Sequence, residues 1–500
     1  MIVWTHSSTI WMHYLLHLTI RILFQTIIER FFPMHCRDQF LQFLKNKMEE
    51  KRILILGFAR EGQSTYTILR SLLPTQEFII ADHHVPSDQL IVNSVKNDPY
   101  VTVIFGEEYL QAVDHVDLVI KTPGISPWLS EVRTAQEHGV VFTSQTDLFF
   151  QFFKDQIIAV TGTKGKSTCS SIIDQVLRSV GKKAILLGNI GTPCFDVLGV
   201  IDRDTWIVYE TSSHQAFSLS VSPHVGVWLN FYQEHLDYYP SLEEYRAAKA
   251  HLFSSQTADD YCLFNRADSA VAMSVEHTPA HRIPFSFGKH EESVVFVREG
   301  WIILSVNGKE ERIIQTKDIP LLGKHNVLNC LPSVWITYVL AHASVEEIRD
   351  ALSRIVPVAG RLEYVGSIRG VSFYDDALAT IPQATIAALD AIDDVETLIV
   401  GGFDRGQDFT QLAKRIATSP IRTLLTLPTT GEKIGFLVKS LKDSITIIPI
   451  DSMDEAVTKA LAYTSSGKSV LLSAASPSFG LFTDYRDRSL KYSQALSSHA

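Results

Sequence analysis

The chain has 500 residues, 46% of them hydrophobic and 20% charged, with a formal net charge of −10. That length exceeds one ordinary core and predicts two or three domains, and the composition excludes a disordered or fibrous protein. The acidic balance argues against nucleic acid as a partner, and five scattered cysteines with no CxxC pair exclude a disulfide framework or a zinc site.

Residues 1–33 stand apart. Ile10 to Phe32 is apolar and aromatic, but Arg21, Glu29 and Arg30 interrupt it, so no apolar run there reaches the roughly 20 residues of a spanning helix. No basic residues precede the stretch, as a secretory signal requires. Three readings stay open: a true start at Met34 or Met48, a helix lying on a surface or membrane, or a span. We set 1–48 aside as an N-terminal extension, expect no stable membrane insertion, and expect a cytoplasmic protein.

Arg52-Ile-Leu-Ile-Leu-Gly57 reads as a buried parallel strand followed by a turn, with a helix to about Leu73. Glu77–Asp82 and Val116–Ile120 read as further strands, the latter followed by Thr122-Pro-Gly124. Strand–helix alternation predicts a doubly wound sheet over 49–153, with ligands at the carboxyl ends of its strands. Phe149 to Asp155 reads as the connection to a second α/β unit over 154–356, with strands at Ile157–Val160, Ala184–Leu187, Trp206–Tyr209 and Val225–Leu229. A third unit over 357–500 has expected strands near Val371–Tyr374, Thr397–Val400, Thr423–Thr426 and Val470–Leu472. The fold class is therefore α/β: a Rossmann-like N-terminal domain, a central P-loop ATPase-like domain with a parallel sheet, and a Rossmann-like C-terminal domain.

Thr161-Gly-Thr-Lys-Gly-Lys-Ser-Thr168 lies between a strand and a helix. A glycine-rich turn there aims backbone N–H groups and a helix N-terminus at phosphate. Lys166 is expected to reach the β/γ-phosphates of ATP, and the Ser167 hydroxyl to ligate Mg²⁺. Two residues rather than four separate Gly162 from Gly165, so this is a shortened variant of the loop. Glu210, at the end of the run Trp206–Tyr209, is placed to hold Mg²⁺. His235, in Asn230-Phe-Tyr-Gln-Glu-His-Leu-Asp237, can ligate metal or orient substrate, although a lone histidine is more often structural. Lys249, on the helical stretch Tyr245–Ala250, would by itself be an ordinary solvated charge. Gly57 to Gly62 has Ala59 where a dinucleotide fingerprint has its middle glycine, which argues against an oxidoreductase.

Phosphate loop, Glu, His and Lys in this order resemble the Mur ligase family, which also includes folylpolyglutamate synthase, from about Arg52 to the C-terminus. The family's loop matches at 161–168 with Lys164 in place of the usual Asn. Its Gly-Asn-Ile-Gly, Glu-x-Ser-Ser, Glu-His-x-Asp and His-Asn-x-x-Asn segments match Gly188–Gly191, Glu210–Ser213, Glu234–Asp237 and His325–Asn329. Its carbamylated lysine falls on Lys249, and the Arg and Glu opening its third domain fall on Arg361 and Glu363.

The resemblance implies an ATP-binding set of Gly162, Thr163, Lys164, Gly165, Lys166, Ser167, Thr168, Asn326, Arg361 and Asp376, and a catalytic set of Lys166, Glu210, His235 and Lys249. Two Mg²⁺ sites would draw on Ser167, Glu210, His235 and carbamylated Lys249. Gly57-Phe-Ala-Arg-Glu-Gly62 and Thr122-Pro-Gly-Ile125 resemble the uridine-nucleotide site of the branch that adds D-glutamate to UDP-N-acetylmuramoyl-L-alanine, implying Gly57, Arg60, Glu61, Asp82, Gly124, Asn189 and Ser212 as its contacts. Gly401–Phe409 and Ser473–Gly480, followed by Phe482 and Tyr485, resemble that branch's amino-acid pocket, implying Thr380, Arg405, Ser478 and Tyr485 for D-glutamate. The expected product is a peptidoglycan precursor, and the expected state is a monomer.

One departure stands out. The family pattern Asn-Asp-Ser-Lys-Ala-Thr is here Asp375-Asp-Ala-Leu-Ala-Thr380, so the lysine has become Leu378. That leaves two alternatives to D-glutamate ligation: a ligase of the same family with another substrate, or a non-catalytic nucleotide-binding homologue.

Overall fold

The computed structural model describes residues 36–499 other than 190, 191, 237, 289 and 291. The N-terminal segment 1–33, and parts of the Gly188–Gly191 and Glu234–Asp237 motifs, lie outside the described residues. Among the described residues the strands form three sheets, of five, nine and six strands.

The first sheet runs Val101–Phe105, Phe78–Asp82, Ile53–Leu56, Leu118–Lys121, Val141–Thr143, all parallel. Ile53–Leu56 is buried at every position, as a central strand covered on both faces must be. The strand order reverses between Ile53–Leu56 and Leu118–Lys121, so Gly57 and Thr122 flank the crevice where such sheets bind ligands. The two edge strands escape the sequence reading because Val101–Phe105 is only partly buried and Val141–Thr143 is three residues long.

The central sheet is parallel over Ala184–Gly188, Trp206–Glu210, Ile157–Thr161, Val225–Trp228, Tyr261–Asn265, His281–Ser286 and Val295–Arg298. It ends in the antiparallel strands Trp301–Val306 and Lys309–Gln315. The third sheet pairs Glu363–Ile368 antiparallel with Val371–Asp375, then continues parallel through Ser469–Leu472, Val395–Gly402, Thr423–Thr429 and Thr446–Pro449.

Two elements differ from expectation. Phe149 to Asp155, read as the connection between two units, is mostly helical: helix Gln145–Phe153, capped by the Ser144 hydroxyl accepting from Asp147 N at 3.0 Å, buries Leu148, Phe149, Phe150 and Phe153. The Cys36–Met48 stretch, set aside with the extension, is a helix that buries Phe40, Leu44 and Met48. The Phe40 ring lies 5.4 Å from Phe153 and 5.3 Å from Phe195 of the 3₁₀ turn Cys194–Val200. These aromatic side chains merge the first sheet and one face of the central sheet into one continuous core. The third sheet packs its own two layers. No helix among the described residues is long and apolar enough to cross a membrane.

Candidate active site

The strand Ile157–Thr161, buried throughout, delivers the chain to the phosphate loop. Gly165 precedes helix Lys166–Ser179 at φ +85, and a Cβ there would sit 2.5 Å from Asn329 Oδ1. Asn230 pins the loop: its carbonyl accepts from Thr163 N at 3.1 Å, its Oδ1 from Lys164 N at 2.8 Å, and its Nδ2 donates to Lys164 O at 2.9 Å. The first-turn N–H groups of the helix are left as an anion seat. Lys166 folds back over the loop, donating to Gly162 O at 2.9 Å and Thr163 O at 3.0 Å. The Ser167 hydroxyl accepts from Arg361 at 3.2 Å, a contact from the third unit. Lys164 pairs with Glu234 at 2.9 Å, so the residue that replaces the family's Asn braces the His235 turn.

Glu210 ends the strand Trp206–Glu210 fully inside the protein. Its Oε1 accepts from Asn189 Nδ2 at 3.1 Å, while Oε2 is buried with no hydrogen-bond partner among the described residues. A carboxylate oxygen in that state costs free energy unless a cation meets it. His235 sits at φ +59, a left-handed conformation rare outside glycine, with its ring 5.0 Å from His214 and 5.6 Å from Tyr245.

Lys249 is buried, and the solvated-charge reading of this helical lysine fails. Its Nζ donates to Gly162 O at 2.9 Å and lies 4.8 Å from the Tyr245 ring centre. Lys166 donates to the same carbonyl at 2.9 Å. Burial first, and the Lys166 charge second, hold the Lys249 ammonium well below the ordinary lysine range. A neutral amine in that place is nucleophilic.

One cavity of about 410 Å³ gathers the loop from Thr163 to Thr168 with Glu210, His235, Asn326, Arg361, Asp376, Leu378, Thr380 and Tyr485. Asn326 donates to Leu322 O at 2.8 Å, which turns its carbonyl oxygen toward Asn329. Burial raises the Asp376 carboxyl to about 7, against the lowering pull of the Ser473 hydroxyl and the Arg361 charge.

Residues 160–337 match the family model for the Mur ligase middle domain, and 360–476 that for the Mur ligase glutamate ligase domain. The chain is 32% identical over 439 residues to the UDP-N-acetylmuramoylalanine--D-glutamate ligase of Shouchella clausii, covering 88% of this chain and 95% of that one. It is 30% identical over 454 residues to the ligase of the same name from Bacillus subtilis, covering 90% and 97%. The chain belongs to the Mur ligase family. Its class of activity is ATP-dependent ligation. Among solved structures it is similar in fold to the UDP-N-acetylmuramate-alanine ligase MurC of Thermotoga maritima (TM-score 0.55, 18% identity, 90% of this chain and all of that one). It is equally similar to the MurF ligase of Thermotoga maritima in complex with ADP (TM-score 0.55, 15% identity, 90% and 97%).

Of the residues that the resemblance assigns to a nucleotide-sugar, Gly57, Arg60, Glu61, Asp82 and Gly124 lie in the first unit around the crevice of its sheet, whereas Asn189 and Ser212 follow strands of the central sheet. Gly57, at φ +93, passes so close to Thr122 that a Cβ would overlap its hydroxyl. Asp82 accepts from Phe58 N and, at 2.8 Å, from His84 N, which folds the turns around the crevice. Arg60 opens the helix Arg60–Leu72 on the exposed side, and Gly124 is exposed. Glu61 accepts from the Thr146 hydroxyl at 3.3 Å, and burial raises its carboxyl to about 7. The Ser212 hydroxyl caps helix Ser213–Ala216 in a capping box with Gln215. Asn189 serves Glu210 as described.

In the third unit Thr380 and Tyr485 line the cavity, whereas Ser478 is buried outside its wall and Arg405 is exposed over the Phe479 ring at 5.6 Å. Leu378 does line the cavity, and a different cation stands behind its loop. Arg488, fully buried, donates to Ala377 O at 2.5 Å and Ser476 O at 3.1 Å. Burial lowers its guanidinium to about 10, while Asp375 and Asp376 pull it back up. Sequence reasoning passed over Arg488, Asn230 and Glu234. Arg488 shows no local signal in a polar helix, but Asn230 and Glu234 could have been weighed, since both lie in the segment that carries His235.

Proposed function

We propose that the protein joins D-glutamate to UDP-N-acetylmuramoyl-L-alanine at the expense of ATP, through an acyl phosphate. The observation that carries this reading is the single cavity in which the phosphate loop and Glu210 of the central unit face Arg361, Thr380 and Tyr485 of the third. ATP lies along Lys166, Ser167 and Asn326, with Arg361 beside the γ-phosphate. The nucleotide-sugar lies over Gly57 and Gly124, and D-glutamate takes Thr380 and Tyr485 on the cavity wall, with Arg405 and Ser478, which lie outside that wall, brought to it as the third unit closes.

The donor set fits a hard cation, because Glu210 Oε2 is buried and has no hydrogen-bond donor among the described residues. Mg²⁺ at Ser167 and Glu210, and a second at His235 and carbamylated Lys249, would supply neutralisation of the phosphate charge. Lys249 supports carbamylation: burial, and then the Lys166 charge, favour its uncharged amine, which adds to carbon dioxide and releases a proton. The L-alanyl carboxylate attacks the γ-phosphorus in line, and ADP leaves. Lys166 swings from the Gly162 and Thr163 carbonyls to the phosphates and holds the charge that develops there. The D-glutamate amine then attacks the acyl carbon, and the tetrahedral adduct expels phosphate and loses a proton to give the amide. Arg361, bonded to Ser167 across the cleft, brings the third unit up to the loop.

We place the protein in the cytoplasm as a monomer, with units at 49–153, 154–356 and 357–500. The five cysteines, free and buried among the described residues, suit a reducing compartment. Leu378 on the cavity wall favours one second reading: the same chemistry with another amino acid.

The test is ATP-dependent phosphate release with UDP-N-acetylmuramoyl-L-alanine, Mg²⁺ and a panel of amino acids, with product masses read in parallel. Release with D-glutamate alone, and a product one glutamyl residue heavier, is expected. Release with a different amino acid moves the specificity, and release with none of them overturns the reading.

A further inference from the structure

Tyr238 lies just after the His235 turn and has no role in the chemistry above. Its backbone N–H and that of Tyr239 both donate to His235 O at 3.0 Å, which winds the segment tightly around the left-handed His235. The Tyr238 ring centre is 3.9 Å from that of His214, and His214 is 5.0 Å from His235. The hydroxyl reaches out of the central unit into the first, 3.0 Å from Pro123 O and 3.0 Å from Ile125 O. A phenol has one proton, so these two carbonyls share it. Ile125 O also accepts from Lys121 Nζ at 2.8 Å, and Lys121 is buried beneath the loop. Residues 122–125 are thus held from below by their own domain and from the side by the central one.

We propose that Tyr238 is a positioning residue that locks the loop Thr122–Ile125 to the His235 turn. The seat of the nucleotide-sugar and the turn that faces the reacting carboxylate then move as one body. Two facts support a role beyond packing. The contact is made by a hydroxyl at the end of the side chain, and it falls on backbone carbonyls of a loop that flanks the crevice of the first sheet. The inference rests on the ligase reading, since it takes that crevice as the nucleotide-sugar site.

The test is Tyr238→Phe in the full chain, which keeps the ring against His214 and deletes only the hydroxyl. The expected result is a KM for UDP-N-acetylmuramoyl-L-alanine raised about tenfold, the scale of one lost hydrogen bond. A severalfold lower kcat, an unchanged KM for ATP and an almost unchanged melting temperature should accompany it. A variant that melts earlier but keeps both constants, or one whose KM for ATP rises equally, overturns the positioning role and leaves the ligase reading intact. A parent protein with no turnover overturns both, so the two failures are told apart.

Discussion

Replacing Arg488 by Met should unfold the third unit before anything else in the molecule. The guanidinium is fully buried and spans two segments, bonding the Ala377 and Ser476 carbonyls. A hydrogen bond from a charged donor contributes about 1.5–3 kcal/mol, so losing both costs roughly 3–6 kcal/mol. Methionine matches the aliphatic part but leaves two buried carbonyls without this donor, and it removes a cation that interacts with Asp375 and Asp376. Arg488→Lys should fall between, because an ammonium cannot reproduce the planar fork. Fluorescence is a poor probe, since all seven tryptophans precede residue 336. Amide exchange in urea, read by mass spectrometry on peptides covering Val395–Gly402 and Ser469–Leu472, reports the third sheet directly. Arg488→Met within about 1 kcal/mol of the parent would refute the reasoning, because the loop after Asp375 would then be held by something other than this cation.

Two further outcomes follow from the same geometry. Gly165→Ala forces a Cβ into a left-handed position 2.5 Å from Asn329 Oδ1, and ATP affinity measured by calorimetry should fall at least tenfold, by about 1.4 kcal/mol or more. An unchanged affinity would show that the loop is not the nucleotide seat. The Asp376 carboxyl, raised by burial to about 7, binds its proton more tightly folded than unfolded. Its contribution is therefore full below the ordinary aspartate pKa of about 4 and is lost as pH rises through about 7. The melting temperature of the third unit should drop between about pH 5 and about pH 8, and Asp376→Asn should flatten that slope; a parent slope retained in the variant would assign it to another group.

Much of the architecture is legible in the chain because buried parallel strands are written as continuous apolar runs. Ile53–Leu56, Ile157–Thr161 and Trp206–Glu210 announce themselves that way, the first two ending just before the candidate site residues Gly57 and Gly162 and the third at Glu210. Of the strands that escaped, Val101–Phe105 and Val141–Thr143 are sheet edges and Trp301–Val306 and Lys309–Gln315 form the antiparallel extension, where apolar runs are shorter or interrupted, whereas Tyr261–Asn265 is buried mid-sheet and its short run Tyr261–Phe264 is flanked by polar residues.

Lys249 marks the boundary between the two kinds of knowledge. Its place in Tyr245–Ala250 predicts a helix and nothing more, and the resemblance alone singled it out. Only the folded chain lays it under Gly162, sharing one carbonyl with Lys166 and losing its water. Arg488 and Tyr238 show the same limit. Arg488 reaches one carbonyl 111 positions away and Tyr238 reaches two that are 115 and 113 away, and neither has a local pattern that separates it from an ordinary surface side chain. By itself the sequence determined the phosphate loop, the order of the motifs and the α/β class, because these depend on neighbours along the chain. Only the tertiary structure decided which charges lose their water and which loops are held together, because desolvation and hydrogen bonding depend on neighbours in space.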